Sequence, residues 1–141
     1  IQYAAISAFT KDHSNYVKRT KKILKEVGMY VYENLKSNKI LINKPEGGFY
    51  LMPEFINSKF STSSEMCKNM INETGVAMLP GSEFGFSENK MLARLSFTDF
   101  DGEKFLNNTS GCKEINQDIL SKFAPNILEG VSKLKRWSKN I

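Results

Sequence analysis

Histidine and tryptophan each occur once in these 141 residues, cysteine twice and proline four times. The lone His13 rules out histidine-rich metal sites, and no Cys-x-x-Cys pair exists to replace them, so no metal is expected. Cys67 and Cys112 lie far apart and make no disulfide framework. Ser–His–Asp chemistry is disfavoured, because His13 stands near a helix start with no serine nucleophile motif beside it. No apolar run approaches the roughly 18 residues that a membrane helix requires. No secretory pattern opens the chain either, so the cytoplasm is the expected compartment and a membrane is not an expected partner. The first residue is Ile1, and the sequence is therefore expected to be a fragment, a processed product or a cloned domain.

Lys and Arg outnumber Asp and Glu by 20 to 15, but the excess is uneven. Residues 11–44 carry nine basic side chains against three acidic ones, and residues 45–110 carry five against nine. A basic chain invites a nucleic-acid reading. The basic blocks, however, coincide with amphipathic helical patterns in which lysines form the solvated face. No aromatic stacking motif accompanies them, so no nucleic-acid partner is expected.

The spacing predicts a long helix over 12–36, with Leu24, Val27, Val31 and Leu35 on one stripe that Tyr16 and Thr20 extend. Asp12 or Ser14 suits its cap, and Gly28 inside it marks a bend or a close approach. Ile40 and Ile42 alternate with polar residues as in a short strand, NKPEGG is turn chemistry, and FYLM reads as a second strand stopped at Pro53. Thr62 and Glu65 form a capping box for a second helix with Met66 and Met70 on its apolar face and Gly75 at its end. VAML and MLARLSF read as strands separated by the loop SEFGFSEN. Residues 105–118 read as a loop-like insertion, and a last helix begins at Pro125 with Ile127, Val131 and Leu134 facing inward. The order is helix, strand, strand, helix, strand, strand, helix. This is not the steady alternation of a doubly wound fold, and it predicts an α+β domain: a small, mostly antiparallel sheet covered by helices.

Arg94 lies in the middle of MLARLSF. Strand alternation puts Met91, Ala93, Leu95 and Phe97 on a core face and Leu92, Arg94, Ser96 and Thr98 on the other. By pattern alone Arg94 is either a solvent-facing charge or a receptor for a carboxylate or phosphate, whose oxygens match its planar fork. LPGSEFG could cradle an anion but lacks P-loop spacing, and a plain turn is the better local reading. In PEGGFY, Glu46 and Tyr50 have the chemistry for acid–base work, with no partner in sequence.

PEGGFYLMPEF, then GVAMLPGSEFG, then ARLSFTDFDG, taken in that order, resemble the C-terminal part of class I/II aminotransferases, pyridoxal-phosphate enzymes of the aspartate aminotransferase fold type. IQYAAISAF resembles the helix after the cofactor-lysine region, the basic helix with Arg19 resembles the long helix into the small domain, and APNILEGVSKLKRW resembles the last helix. The resemblance implies that residues 1–11 are the remnant of a connection to a missing large domain and that 12–141 form the small domain. It implies amino-group transfer between an amino acid and a 2-oxo acid with pyridoxal 5'-phosphate as cofactor, and a homodimeric parent. It assigns Arg94 to the substrate's α-carboxylate and leaves this sequence without catalytic or cofactor-binding residues, so the chain alone is expected to be inactive. The alternatives are the same domain in a pyridoxal-phosphate synthase or lyase, which would use Arg94 identically, or a non-enzymatic aminotransferase-like sensor domain.

Overall fold

The computed structural model describes residues 1–141 throughout. Helix α1 (Gln2–Thr10) buries no residue, while α2 (Ser14–Leu35) runs along the body of the domain. The Asp12 carboxylate accepts the Ser14 amide at 2.8 Å at the start of α2. The buried stripe of α2 is Ile23, Val27, Gly28, Val31 and Leu35. Ile23 thus takes the place expected for Leu24, which is only partly buried, and Tyr16 is exposed. Gly28 is a point of close approach: a β-carbon there would lie 3.0 Å from the tip of the Phe97 ring.

The strands are short and form two antiparallel sheets. Strands β1 (Ile40–Leu41) and β3 (Glu54–Phe55) pair with each other, and β2 (Tyr50–Leu51) pairs with β5 (Ala93–Ser96), which also pairs with β4 (Leu79–Pro80). The segment from Tyr50 to Phe55 therefore serves both sheets. Pro53 interrupts it rather than ending it. Proline has no amide to donate to a ladder, but the buried Pro53 carbonyl accepts the Ala93 amide at 3.1 Å. A bridge between Glu54 and Leu92 joins the two sheets. Strands β1 and β2, though consecutive, do not pair with one another.

Helix α3 (Ser63–Thr74) has the predicted ends. The Glu65 amide donates to Thr62 Oγ1 at 3.1 Å, the Glu65 carboxylate accepts the Ser61 amide at 3.0 Å, and Gly75 adopts a left-handed φ of 73°. Met66 and Met70 are fully buried, as core side chains. After β4, a 3-10 turn (Gly81–Phe84) occupies what reads in sequence as loop.

Within residues 105–118, which read as loop-like, 105–108 are helical and 109–116 are turn and loop. Residues Gly102–Asn108 form helix α4, capped by Asp101, whose carboxylate accepts the Lys104 amide at 2.9 Å. Phe105 is fully buried and packs against Phe100 edge-on and Phe123 face-on, at centroid distances of 5.4 and 5.5 Å. Arg19 of α2 donates to the Leu106 carbonyl in the last turn of α4, where helix carbonyls lack internal partners and favour a cation. Lys22 reaches the carbonyls of Cys112 and Lys113. Helices α5 (Gln117–Phe123) and α6 (Pro125–Trp137) follow, broken at Ala124.

Helix α6 packs on α2, α3 and α5, so the helices form a layer on one side of the sheet. Leu51, Ala93 and Leu95 face that layer and are buried. Register places Tyr50 opposite Ser96 and Leu79 opposite Arg94 on the other face, where no helix lies against them. The architecture is the expected helix-covered antiparallel α+β domain.

Candidate functional site

The uncovered sheet face is built around Arg94. Strand β5 is central in its sheet, with β2 on one side and β4 on the other, so its backbone is held by two ladders. Each neighbour brings an aromatic ring towards the guanidinium. The Arg94 Cζ lies 4.4 Å from the centroid of Tyr50, from β2, and 4.2 Å from that of Phe84, from the turn after β4. Both distances are well inside the range of about 6 Å over which a cation is attracted to a ring face. Phe49 packs against Tyr50 at 4.4 Å between centroids. Ser96 and Thr98 continue the strand face, their hydroxyls 3.0 Å apart.

The surroundings of Arg94 contain no partner of opposite charge. The ion pairs of the chain are Lys90–Glu54 and Lys133–Glu129, and no carboxylate lies within 4.0 Å of the Arg94 guanidinium. Its side-chain N–H groups make no hydrogen bond to the protein either. A half-buried arginine normally finds a carboxylate or carbonyl acceptor. Here the rings meet the cation and the donor edges stay free.

Gly81 sets the position of Phe84. Its amide donates to the Leu92 carbonyl at 2.7 Å, and the turn then closes with the Phe86 amide on the Gly81 carbonyl at 3.3 Å. Gly85, at a left-handed φ of 82°, ends it. The turn also covers Leu92. That residue is buried although alternation places it on the polar face, because Gly81 sits directly on its backbone and β-carbon.

The other sequence candidates lie elsewhere. Glu46 lines a groove of about 790 Å³ with Lys18, Lys21, Lys22 and Lys25 of α2 and with Gly47 and Gly48, and Arg94 is not among its lining residues. His13 is exposed, its ring near the Ser7 carbonyl at 3.2 Å, with no nucleophile. No group of three or more His, Cys, Asp or Glu side chains comes together. Both cysteines are free. A cavity of about 530 Å³ opens between β5, the start of α6 and the Thr74–Ala77 segment, and Arg94 is not among its lining residues. No helix is long and apolar enough to cross a membrane.

Sequence reasoning reached Arg94 and passed close to Tyr50, but it missed Phe84. The only signal for Phe84 is its place three residues beyond a Pro-Gly pair that ends an edge strand. It becomes informative once Leu79 is known to stand opposite Arg94.

The model of the family "Aminotransferase class I and II" matches residues 1–106, and the chain belongs to that family. Among curated proteins, the aspartate aminotransferase of Sulfolobus acidocaldarius is 35% identical over 100 residues, covering 68% of this chain and 24% of that protein. A probable N-acetyl-LL-diaminopimelate aminotransferase of Bacillus subtilis is 33% identical over 96 residues, with the same two coverages. Among solved structures, an aspartate aminotransferase from Thermotoga maritima superposes with a TM-score of 0.61 at 25% identity, over 96% of this chain and 27% of that one. An alanine aminotransferase from Pyrococcus furiosus has the same fold, with a TM-score of 0.71 at 24% identity over 99% of this chain and 30% of that one. The chain thus spans about a quarter of the length of the curated relatives it matches.

The residues present do not make a cradle for the pyridoxal phosphate implied by the family. Lys90, the lysine that follows the Gly81–Phe84 turn, is engaged by Glu54 at 3.5 Å and by the Phe86 ring at 5.8 Å. The α2 lysines line the separate groove.

Proposed function

We propose that this chain is the substrate-carboxylate-gripping domain of an amino acid aminotransferase, with Arg94 as the receptor. One observation carries the reading. Arg94 stands on the uncovered face of the sheet, held between two rings, with its donor edges free and no protein carboxylate to satisfy them. A guanidinium in that state accepts a carboxylate through two parallel charge-assisted hydrogen bonds, each worth about 1.5–3 kcal/mol where water is excluded. Gripping the carboxylate fixes one end of the amino acid or 2-oxo acid, and the reacting carbon is thereby oriented for a group supplied from outside this chain. Ser96 and Thr98, exposed on the same face, border the place the substrate would occupy.

The chain alone lacks the residues that would carry the chemistry, so incubated with pyridoxal phosphate and an amino donor it does not turn over. In the complete aminotransferase, which is proposed to be a homodimer, Arg94→Ala raises KM steeply and lowers kcat/KM while cofactor binding persists. Unchanged kcat/KM would make Arg94 a surface charge. The family relationship and the fold support this reading over a synthase or lyase, because every relative named above is an aminotransferase.

A further inference from the structure

We infer that Tyr50 and Phe84 are positioning residues, a two-ring clamp that fixes the Arg94 guanidinium for its ligand. This inference rests on the carboxylate-gripping reading and adds to it how the grip is kept ready. An arginine side chain has several rotatable bonds, and ordering it when ligand arrives weakens binding. A protein carboxylate could hold it in place, but would occupy the donor edges that the ligand needs. Aromatic faces solve both problems, because they contact the flat face of the cation and leave its edges open.

The observed distances fit such an arrangement. One ring comes from β2 and the other from the turn after β4, the two strands that flank β5, at 4.4 Å and 4.2 Å from Arg94 Cζ. Both are large apolar side chains left partly in solvent, Tyr50 at 43% and Phe84 at 37% of full exposure, so neither is explained as core. Each is fixed by its own surroundings: Tyr50 by ladder pairing to Ser96 and by Phe49, Phe84 by the turn that Gly81 locks against Leu92. The Tyr50 hydroxyl makes no hydrogen bond to the protein, and the clamp needs only its ring.

Nuclear magnetic resonance of the 141-residue chain tests this with two separate readouts. The first is the ring-current shift of the Arg94 side-chain protons. They resonate upfield of their random-coil positions, Phe84→Leu and Tyr50→Leu each move them back, and Tyr50→Phe does not. The second is a titration with pyruvate as the carboxylate probe, followed at the Arg94 Nε–H. Binding weakens about two- to fivefold for each ring removed, the range of an exposed cation–π contact, and Tyr50→Phe retains it. Thermal unfolding stays near that of the parent chain in each variant, which separates loss of the clamp from loss of the fold. Arg94 protons at random-coil positions in the parent chain would overturn the clamp whatever pyruvate does. Ring-current shifts present with no response of Arg94 to pyruvate would overturn the gripping reading and leave the clamp a contact without that role. Shifts lost with pyruvate affinity unchanged would overturn the positioning role alone.

Discussion

The amide of Gly81 donates to the carbonyl of Leu92 at 2.7 Å, and a β-carbon on Gly81 would stand 2.9 Å from that same oxygen. The hydrogen bond and the missing side chain are one requirement: the turn can lie against β5 only if nothing projects from residue 81. Gly81 is not in a left-handed conformation, so its need is for space, unlike that of Gly75 or Gly85.

Gly81→Ala therefore forces the turn away from Leu92. The expected loss is about 1–3 kcal/mol of stability, as for other overpacked sites, read as a lower midpoint in denaturant. The Arg94 side-chain protons should also lose the part of their ring-current shift that comes from Phe84. A variant that keeps both the midpoint and the shift would show that the contact is not needed.

Phe105→Ala is expected to destabilise the domain by about 3–5 kcal/mol, the usual range for emptying a buried phenylalanine site. Phe105 is fully buried between Phe100 and Phe123, so its removal undoes the seat of α4 as well as leaving a void. Equilibrium unfolding measures the change. A loss below about 1 kcal/mol would show that Phe105 does not anchor this segment.

Burial pushes the Cys67 thiol from 9.0 up to about 11. Because the thiolate is the reactive form, Cys67 should resist alkylation in the folded chain at mildly alkaline pH and react once the chain is unfolded. The same shift makes stability depend on pH. The folded thiol holds its proton up to about 11 and the unfolded one releases it near 9.0. Over that interval the unfolded state binds fewer protons, and stability falls as pH rises. Below the interval the contribution is complete. The slope that Cys67→Ala removes from the stability profile between these values isolates the effect of this thiol.

Much of the helical layer is legible in the sequence, because helix signals are local. Thr62, Glu65 and Gly75 mark both ends of α3 within one stretch of chain, and the structure uses all three. The sheet is less legible. Whether β2 pairs with β1 or with β5 depends on residues some 45 positions apart, and Pro53 reads as a strand end although its carbonyl continues the ladder. Helix α4 was hidden for another reason. It has only seven residues and one fully buried side chain, so it shows no periodicity, and its C-terminal end is satisfied by Arg19 from a distant helix. At the site, the charge of Arg94 is visible in sequence and its isolation from carboxylates is not. An absent partner is a property of three-dimensional neighbourhoods.

The single tryptophan has a practical consequence. Trp137 is 5% exposed, stacks on Phe60, meets Phe55 edge-on and donates its indole N–H to Asn69 at 3.3 Å, so it senses α6, α3 and β3 together. Its fluorescence is a built-in gauge of whether the domain is intact, and none of these partners is Arg94 or a ring beside it. Any variant of the uncovered face can thus be declared folded or unfolded by its own light, before its binding is ever measured.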